Sequence, residues 1–146
     1  MKEESLYRFP ARMESLVAML ELLRPHAAVV GEEPLLRAET AIEELLTNTV
    51  VHGEATRNPQ ASVWLSVHLV DGACALQYQD KQLQFDPRAR IAEAMRRTAN
   101  PMDQRPLGGL GLLMVFRLAD SFRYQREDGR NCIDLQFRSR LADATA

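Results

Sequence analysis

Glu44, Asn48 and His52 stand four positions apart within the stretch IEELLTNTVVHG, residues 42–53. Four residues advance an α-helix by about 400°, so the three polar side chains form one slowly drifting stripe. Ile42, Leu45, Leu46, Thr49 and Val50 point elsewhere and can pack. A carboxylate and an amide one turn apart can divide the chemistry of a transfer reaction. Glu44 can orient or deprotonate a nucleophile, and the Asn48 side-chain oxygen is a hard neutral ligand of the kind Mg²⁺ takes when it bridges nucleotide phosphates. A plain solvent-facing helix stripe would have the same composition. His52, near the helix C-terminus, equally suits a favourable contact with the helix dipole. His26, His52 and His68 follow no recognised zinc-ligand spacing.

Two further segments carry chemistry. In PLGGLGLLMV, residues 106–115, the glycines Gly108, Gly109 and Gly111 let backbone amides approach a phosphate where a helix begins, and the helix N-terminus favours an anion. The segment is not a Walker A loop, because the Lys and hydroxyl of GxxxxGK[ST] are absent, and it does not match GxGxxG. In QDKQLQFDP, residues 79–87, Asp80 follows a clearly alternating strand, so its carboxylate emerges at the strand end. Buried there, it could accept a hydrogen bond from an exocyclic amine such as adenine N6 and discriminate against guanine. Taken singly, a turn-forming glycine cluster and a strand-terminating Asp explain both segments as well.

These groups need elements to hold them. Leu6 to Phe9 reads as a short edge strand ended by Pro10, and Met13, Leu16, Val17, Leu20 and Leu23 predict an amphipathic helix from Ala11 to about Pro25. A second helix is expected from Glu33 or Pro34 to Gly53, which suits a left-handed cap. ASVWLSVHLV alternates Val63, Leu65, Val67 and Leu69 with Trp64, Ser66 and His68, and Asp71 and Gly72 supply the turn to ACALQYQ. From Asp80 to Gly109 only IAEAMRRTA reads as helical, for about two turns, in a segment broken by Pro87, Pro101 and Pro106. A helix over Leu110 to Leu118 and a hairpin of SFRYQRE and NCIDLQF around Asp128 and Gly129 complete the order. Helices packed on one face of a mixed, mostly antiparallel sheet are the natural arrangement, an α+β fold.

The totals set bounds on function. At 146 residues and 46% hydrophobic composition, one domain spanning residues 1–146 can bury a core of its own. A formal charge of −2 gives no field to draw in DNA or RNA. No apolar run is long enough to span a membrane, and MKEESLYRFP is too polar for a signal peptide, so a cytoplasmic location is expected. Cys74 and Cys132 fit no CxxC pattern and both fall in alternating apolar segments, as reduced core thiols would.

Taken in order, the three pieces resemble the N, G1 and G2 boxes of the GHKL ATPase superfamily, and more narrowly those of bacterial anti-sigma-factor serine kinases of partner-switching systems. EELLTNTVVHG stands for the N box, DKQLQFDP for the segment where the family has an Asp and glycines before Phe-Asp-Pro, GGLGLLMV for the glycine lid, and LADSFRYQREDGRNCIDLQF for the closing hairpin. The resemblance implies a Bergerat-type α/β sandwich that binds Mg-ATP between helices and lid. By position it implies Glu44 as general base for the accepting hydroxyl, Asn48 as Mg²⁺ ligand, and Asp80 as adenine anchor. It also implies Gly108, Gly109, Leu110 and Gly111 as the phosphate-contacting hinge, with His52, Phe85 and Arg105 in the nucleotide site. The implied partners are a sigma factor or similar regulator, a STAS-domain anti-anti-sigma protein phosphorylated on Ser or Thr, and a second copy of the chain, through the first strand and helix.

The sequence departs from the pattern at Gln82 and Gln84, where the family has glycine and a small residue, and glycine is used where backbone must come close to a ligand. Two readings therefore stand beside the kinase. One is a module that sequesters its partner with little or no transfer activity. The other is the ATP-binding domain of a histidine kinase, disfavoured because the chain supplies its own first strand and helix.

Overall fold

The computed structural model describes residues 5–53, 58–81, 87–100 and 110–140. Strand β1 (Tyr7–Pro10) leads through a 3-10 turn, Met13–Ser15, into α1 (Leu16–Glu21). The single helix expected up to Pro25 is not formed. A second 3-10 turn, Arg24–His26, and the one-turn helix α2 (Ala27–Val30) take over, with Pro25 in the first turn of the new piece. Proline has no N–H to donate back, so the α1 ladder cannot run through it. Met19 and Leu23 reach the core all the same.

Gly31 turns the chain at φ +96° into α3 (Glu32–His52), a conformation that glycine adopts at no steric cost. Pro34 sits in the first turn of α3, where its missing N–H would have had no helical partner. The left-handed cap expected at Gly53 does not occur. Its backbone is extended (φ −104°, ψ −163°), and its N–H closes the last turn onto the Thr49 carbonyl at 3.1 Å.

Strands β2 (Ser62–Val70) and β3 (Ala73–Asp80) form the first long hairpin, and β4 (Ser121–Glu127) and β5 (Arg130–Phe137) the second. Both turns place an Asp and a Gly at positive φ, Asp71 and Gly72 in one, Asp128 and Gly129 in the other, the twist that joins two right-twisted strands. The sheet order is β1-β2-β3-β5-β4, and every pairing among the described strands is antiparallel, in keeping with the mixed, mostly antiparallel sheet expected. Between the hairpins run α4 (Pro87–Thr98) and α5 (Leu110–Leu118). α4 is longer than the two turns expected, because Pro87 is well placed at its start and Arg-Ala-Arg continues the helix.

One sheet face carries the core. Val63, Leu65, Cys74, Leu76, Tyr78, Ile133, Leu135 and Phe137 meet Leu35, Ala38, Ile42, Leu45 and Leu46 of α3 and Leu112, Leu113 and Val115 of α5. Both cysteines are buried free thiols, as their alternating segments predict. On the opposite face Trp64 and Ser66 are buried too. The Arg130 guanidinium stacks 3.6 Å from the Trp64 ring centroid, with Arg8 and Lys81 each at 5.7 Å, so cations cover an aromatic that no helix covers.

Arg37 is the one charged side chain of α3 that lies buried among the described residues, 7% exposed. It donates to the Leu118 carbonyl at the end of α5 (2.6 Å), to the Arg138 carbonyl beyond β5 (2.5 Å), to Asp120 (3.2 Å) and to both oxygens of Glu33. One guanidinium thus ties α3 to the ends of α5 and β5, and the fork geometry of arginine is what permits so many simultaneous donations. No helix among the described residues is long and apolar enough to cross a membrane.

Candidate functional site

The site is built where the end of β3 meets the last turns of α3. Asp80 closes β3 and is 6% exposed. Its Oδ2 accepts from the Thr49 hydroxyl of α3 at 2.9 Å, and its Oδ1 accepts from the Asn131 amide of β5 at 3.2 Å. Thr49 Oγ1 lies 2.5 Å from the Tyr78 hydroxyl and 3.2 Å from the Leu45 carbonyl. Burial, together with the adjacent Asp80 charge, pushes the Tyr78 phenol well above its ordinary value against the opposing pull of Thr49, so it stays protonated. A buried carboxylate is costly unless hydrogen-bonded, and here the donors come from two different elements.

Beside this carboxylate lies a cavity of about 10 Å³, room for one water, lined by Leu45, Asn48, Tyr78, Asp80, Tyr124, Asn131 and Ile133. Asn48 is therefore not a solvent-facing helix residue. It is half-buried and faces the same space as Asp80. Glu44, one turn earlier on α3, is half-buried as well and faces α5. A Cβ added at Gly111, in the first turn of α5, would lie 2.8 Å from Glu44 Oε2, so the absence of a side chain at this position makes room for the carboxylate. Leu110, where α5 begins, is exposed.

The structure thus brings Glu44, Asn48, Asp80, Leu110 and Gly111 along one side of α3, from α5 to the sheet end. Phe85, Arg105, Gly108, Gly109, the side chain of His52, and the departures Gln82 and Gln84 lie outside the described residues. Three residues that the motif reading missed complete the site: Thr49, which holds one oxygen of Asp80, Tyr78, which bonds the Thr49 hydroxyl, and Asn131, which holds the other oxygen. Asn131 was findable, because it shares the parity of Ile133, Leu135 and Phe137 and so had to face the core, where a polar side chain needs partners.

The donor set offers oxygen atoms: two carboxylates and one amide. Among the described residues no three His, Cys, Asp or Glu converge as a metal cage. That combination fits Mg²⁺ arriving with a nucleotide, since Mg²⁺ keeps waters and phosphate oxygens and takes few protein ligands. The buried Asp80, an acceptor at the closed end of the space, fits a base carrying an exocyclic amine.

Comparison with known proteins agrees with this geometry. The pattern of the histidine kinase-like ATPase domain matches residues 9–137. No curated protein matches significantly. Among solved structures, the crystal structure of the RsbU and RsbW domains of Rv1364c from Mycobacterium tuberculosis is 19% identical with a TM-score of 0.57, over 92% of this chain and 32% of that one. The chain spans about a third of that structure, and the likeness is one of fold. With the family pattern running from the second half of β1 through β5, the chain belongs to the histidine kinase-like, or GHKL, ATPase domain family.

Proposed function

We propose that the protein is a serine/threonine-protein kinase of the partner-switching type, one that binds Mg-ATP, holds a sigma factor or similar regulator, and phosphorylates a STAS-domain antagonist. The observation that supports this reading is that α3 carries Glu44 against the first turn of α5 and, five residues on, Thr49 against Asp80 at the sheet end. Residues 44 and 49 lie about 7.5 Å apart along the α3 axis.

In this role Asp80 accepts from the base, Asn48 offers its amide oxygen to the metal, and Glu44 takes the proton of the accepting hydroxyl. Bound Mg²⁺ would neutralise charge on the phosphates. The protein contributes position and a fixed electrostatic environment, which is most of what phosphoryl transfer asks of it. Phosphorylation adds about two negative charges to the antagonist and would weaken its grip on the kinase. A single cytoplasmic domain and a homodimer through the first strand complete the proposal; β1 is a sheet edge, and Leu6, Tyr7 and Val17 beside it are exposed.

The test is phosphate transfer from γ-labelled ATP to a STAS-domain protein. The purified chain with Mg²⁺ should label the acceptor, Glu44→Ala should abolish labelling with ADP affinity kept within about threefold, and Asp80→Ala should abolish ADP binding. A chain that binds ATP but labels no acceptor is the sequestering module instead, and a chain that binds no nucleotide refutes the reading.

A further inference from the structure

Arg126, Asn131 and Asp80 occupy one cross-strand row, Arg126 opposite Asn131 on β4 and β5, and Asn131 opposite Asp80 on β5 and β3. Residues directly opposite in an antiparallel pair share a sheet face, so the three side chains line up toward the cavity beside Asp80. Arg126 Nη1 lies 3.0 Å from Asn131 Oδ1, and the Tyr124 hydroxyl lies 2.7 Å from the same oxygen. We propose that Arg126 and Asn131 form a relay that fixes Asp80 as a hydrogen-bond acceptor and thereby selects a 6-aminopurine nucleotide over a 6-oxopurine one. The inference rests on the nucleotide-binding reading above and assigns positioning residues to it.

The direction of the relay follows from which groups can donate. An arginine has five N–H donors and no acceptor, so the end of the Asn131 amide that faces Arg126 must be its oxygen. The amide orientation is then settled, and its N–H₂ end must face Asp80, as the 3.2 Å contact shows. On the other oxygen the direction is settled as well. Tyr78 keeps its proton and donates into Thr49, which leaves the Thr49 proton for the nearer and charged acceptor, Asp80 Oδ2 at 2.9 Å, in preference to the Leu45 carbonyl at 3.2 Å. Both oxygens of Asp80 receive donors from the protein, and what the carboxylate presents to the cavity is acceptor capacity. An exocyclic amine supplies the complementary N–H. A 6-oxo group opposes lone pair to lone pair, and a buried polar mismatch of this kind is costly.

Removing the cation releases the constraint. With Arg126→Met the Asn131 oxygen loses the partner that can only donate, and Tyr124, whose hydroxyl can accept as well as donate, permits the amide to turn its carbonyl toward Asp80. With Asn131→Asp a carboxylate replaces the amide that donates to Asp80, so the pair no longer presents the wild-type acceptor to a 6-amino group. A residue with only a structural role would weaken both nucleotides alike, whereas the relay moves their ratio.

The experiment is isothermal titration of the full chain with ADP and with IDP in the presence of Mg²⁺, each variant checked for folding by its melting transition. Wild type should prefer ADP by about 100-fold, Asn131→Asp should narrow that preference at least about tenfold, and Arg126→Met should narrow it about fivefold or more. Arg126→Lys, which also only donates, should keep the wild-type ratio. If Asn131→Asp fails to fold, Arg126→Met on the edge strand decides the matter. Wild type that binds ADP with the same ADP to IDP ratio as both variants overturns the relay and leaves the nucleotide-binding reading standing. Wild type that binds neither nucleotide overturns both.

Discussion

Gly111→Ala separates two uses of a glycine at the start of α5. If position 111 is bare so that backbone can approach a phosphate, the substitution should weaken nucleotide binding. If it is bare because the Glu44 carboxylate rests there, the substitution should leave binding alone and slow the transfer. The structure favours the second. The new Cβ would lie 2.8 Å from Glu44 Oε2, where ordinary contact begins near 3.4 Å, so the carboxylate must retreat by about 0.6 Å. α5 cannot yield instead, because Leu112, Leu113 and Val115 anchor it in the core. A misplacement of 1 Å can cost about 100-fold in rate, which puts the expected loss for 0.6 Å at about 10- to 20-fold. The carboxylate is the far end of a flexible side chain, so its shift costs little stability, and alanine is the better helix former by up to ~1 kcal/mol. The melting temperature should therefore stay within about 3 °C. The assay is single-turnover consumption of γ-labelled ATP with a STAS-domain acceptor at saturating nucleotide, beside an ADP titration and a melt. An ADP affinity more than tenfold weaker with turnover unchanged would refute the reasoning and return Gly111 to the phosphate.

Arg37→Met removes the guanidinium that joins α3 to the ends of α5 and β5. Asp120 keeps the Arg138 N–H and Arg140, and half-exposed Glu33 is screened, so the loss should be about 2–4 kcal/mol, seen as a fall of about 5–15 °C in melting temperature; a fall under about 2 °C would show that the clamp holds nothing. Burial alone would raise the Asp120 pKa, but the Arg138 N–H, Arg140 and Arg37 together hold it below its ordinary 3.8. A carboxylate lowered on folding stabilises fully above its unfolded pKa of about 3.9 and loses that contribution as pH falls through the folded value. Urea midpoints should therefore drop on acidification below about pH 4, less steeply in Arg37→Met, and equal slopes for the two proteins would contradict the assignment. Cys74 is fully buried, and burial pushes its thiol up to about 11, so iodoacetamide at pH 8 should label it only in urea; rapid labelling of the native protein would disprove that packing.

Local pattern revealed what depends on neighbours in sequence. The two hairpins follow from alternation and an Asp-Gly turn and α3 from its apolar spacing, whereas the common stripe of Glu44 and Asn48 fitted a solvent-facing face as well as the half-buried one they occupy. What depends on strand register did not show. Asn131 and Asp80 are 51 residues apart and meet because β3 and β5 become neighbours, a pairing that no adjacent turn dictates. Arg37 looks like one more charge on a helix until α5 and β5 bring carbonyls to it from 81 and 101 residues away. The first helix ends at Glu21, short of the Pro25 that marks its expected limit, while Met19 and Leu23 remain in phase with the core. Trp64 alternates to the face away from the core and is buried there under Arg130, Arg8 and Lys81, a cover that alternation does not reveal.

The same register that hid the site also makes its stability depend on the fold's periphery. Asp80 cannot be carried into the interior as an ion without its donors, and those donors stand on α3 and β5, backed in turn by Tyr78 on β3 and by Tyr124 and Arg126 on β4. Thr49 and Asn131 therefore hold the acceptor in place before any ligand arrives. But β4 is a sheet edge, paired among the described strands with β5 alone, and edge elements open at lower free energy than central ones. When β4 frays, Arg126 and Tyr124 leave first, the Asn131 amide loses what orients it, and Asp80 loses a donor while β2, β3 and α3 remain in place. On the proposed reading of Asp80, base recognition is coupled to the pairing of an outer strand, so that whatever steadies β4 also steadies the acceptor.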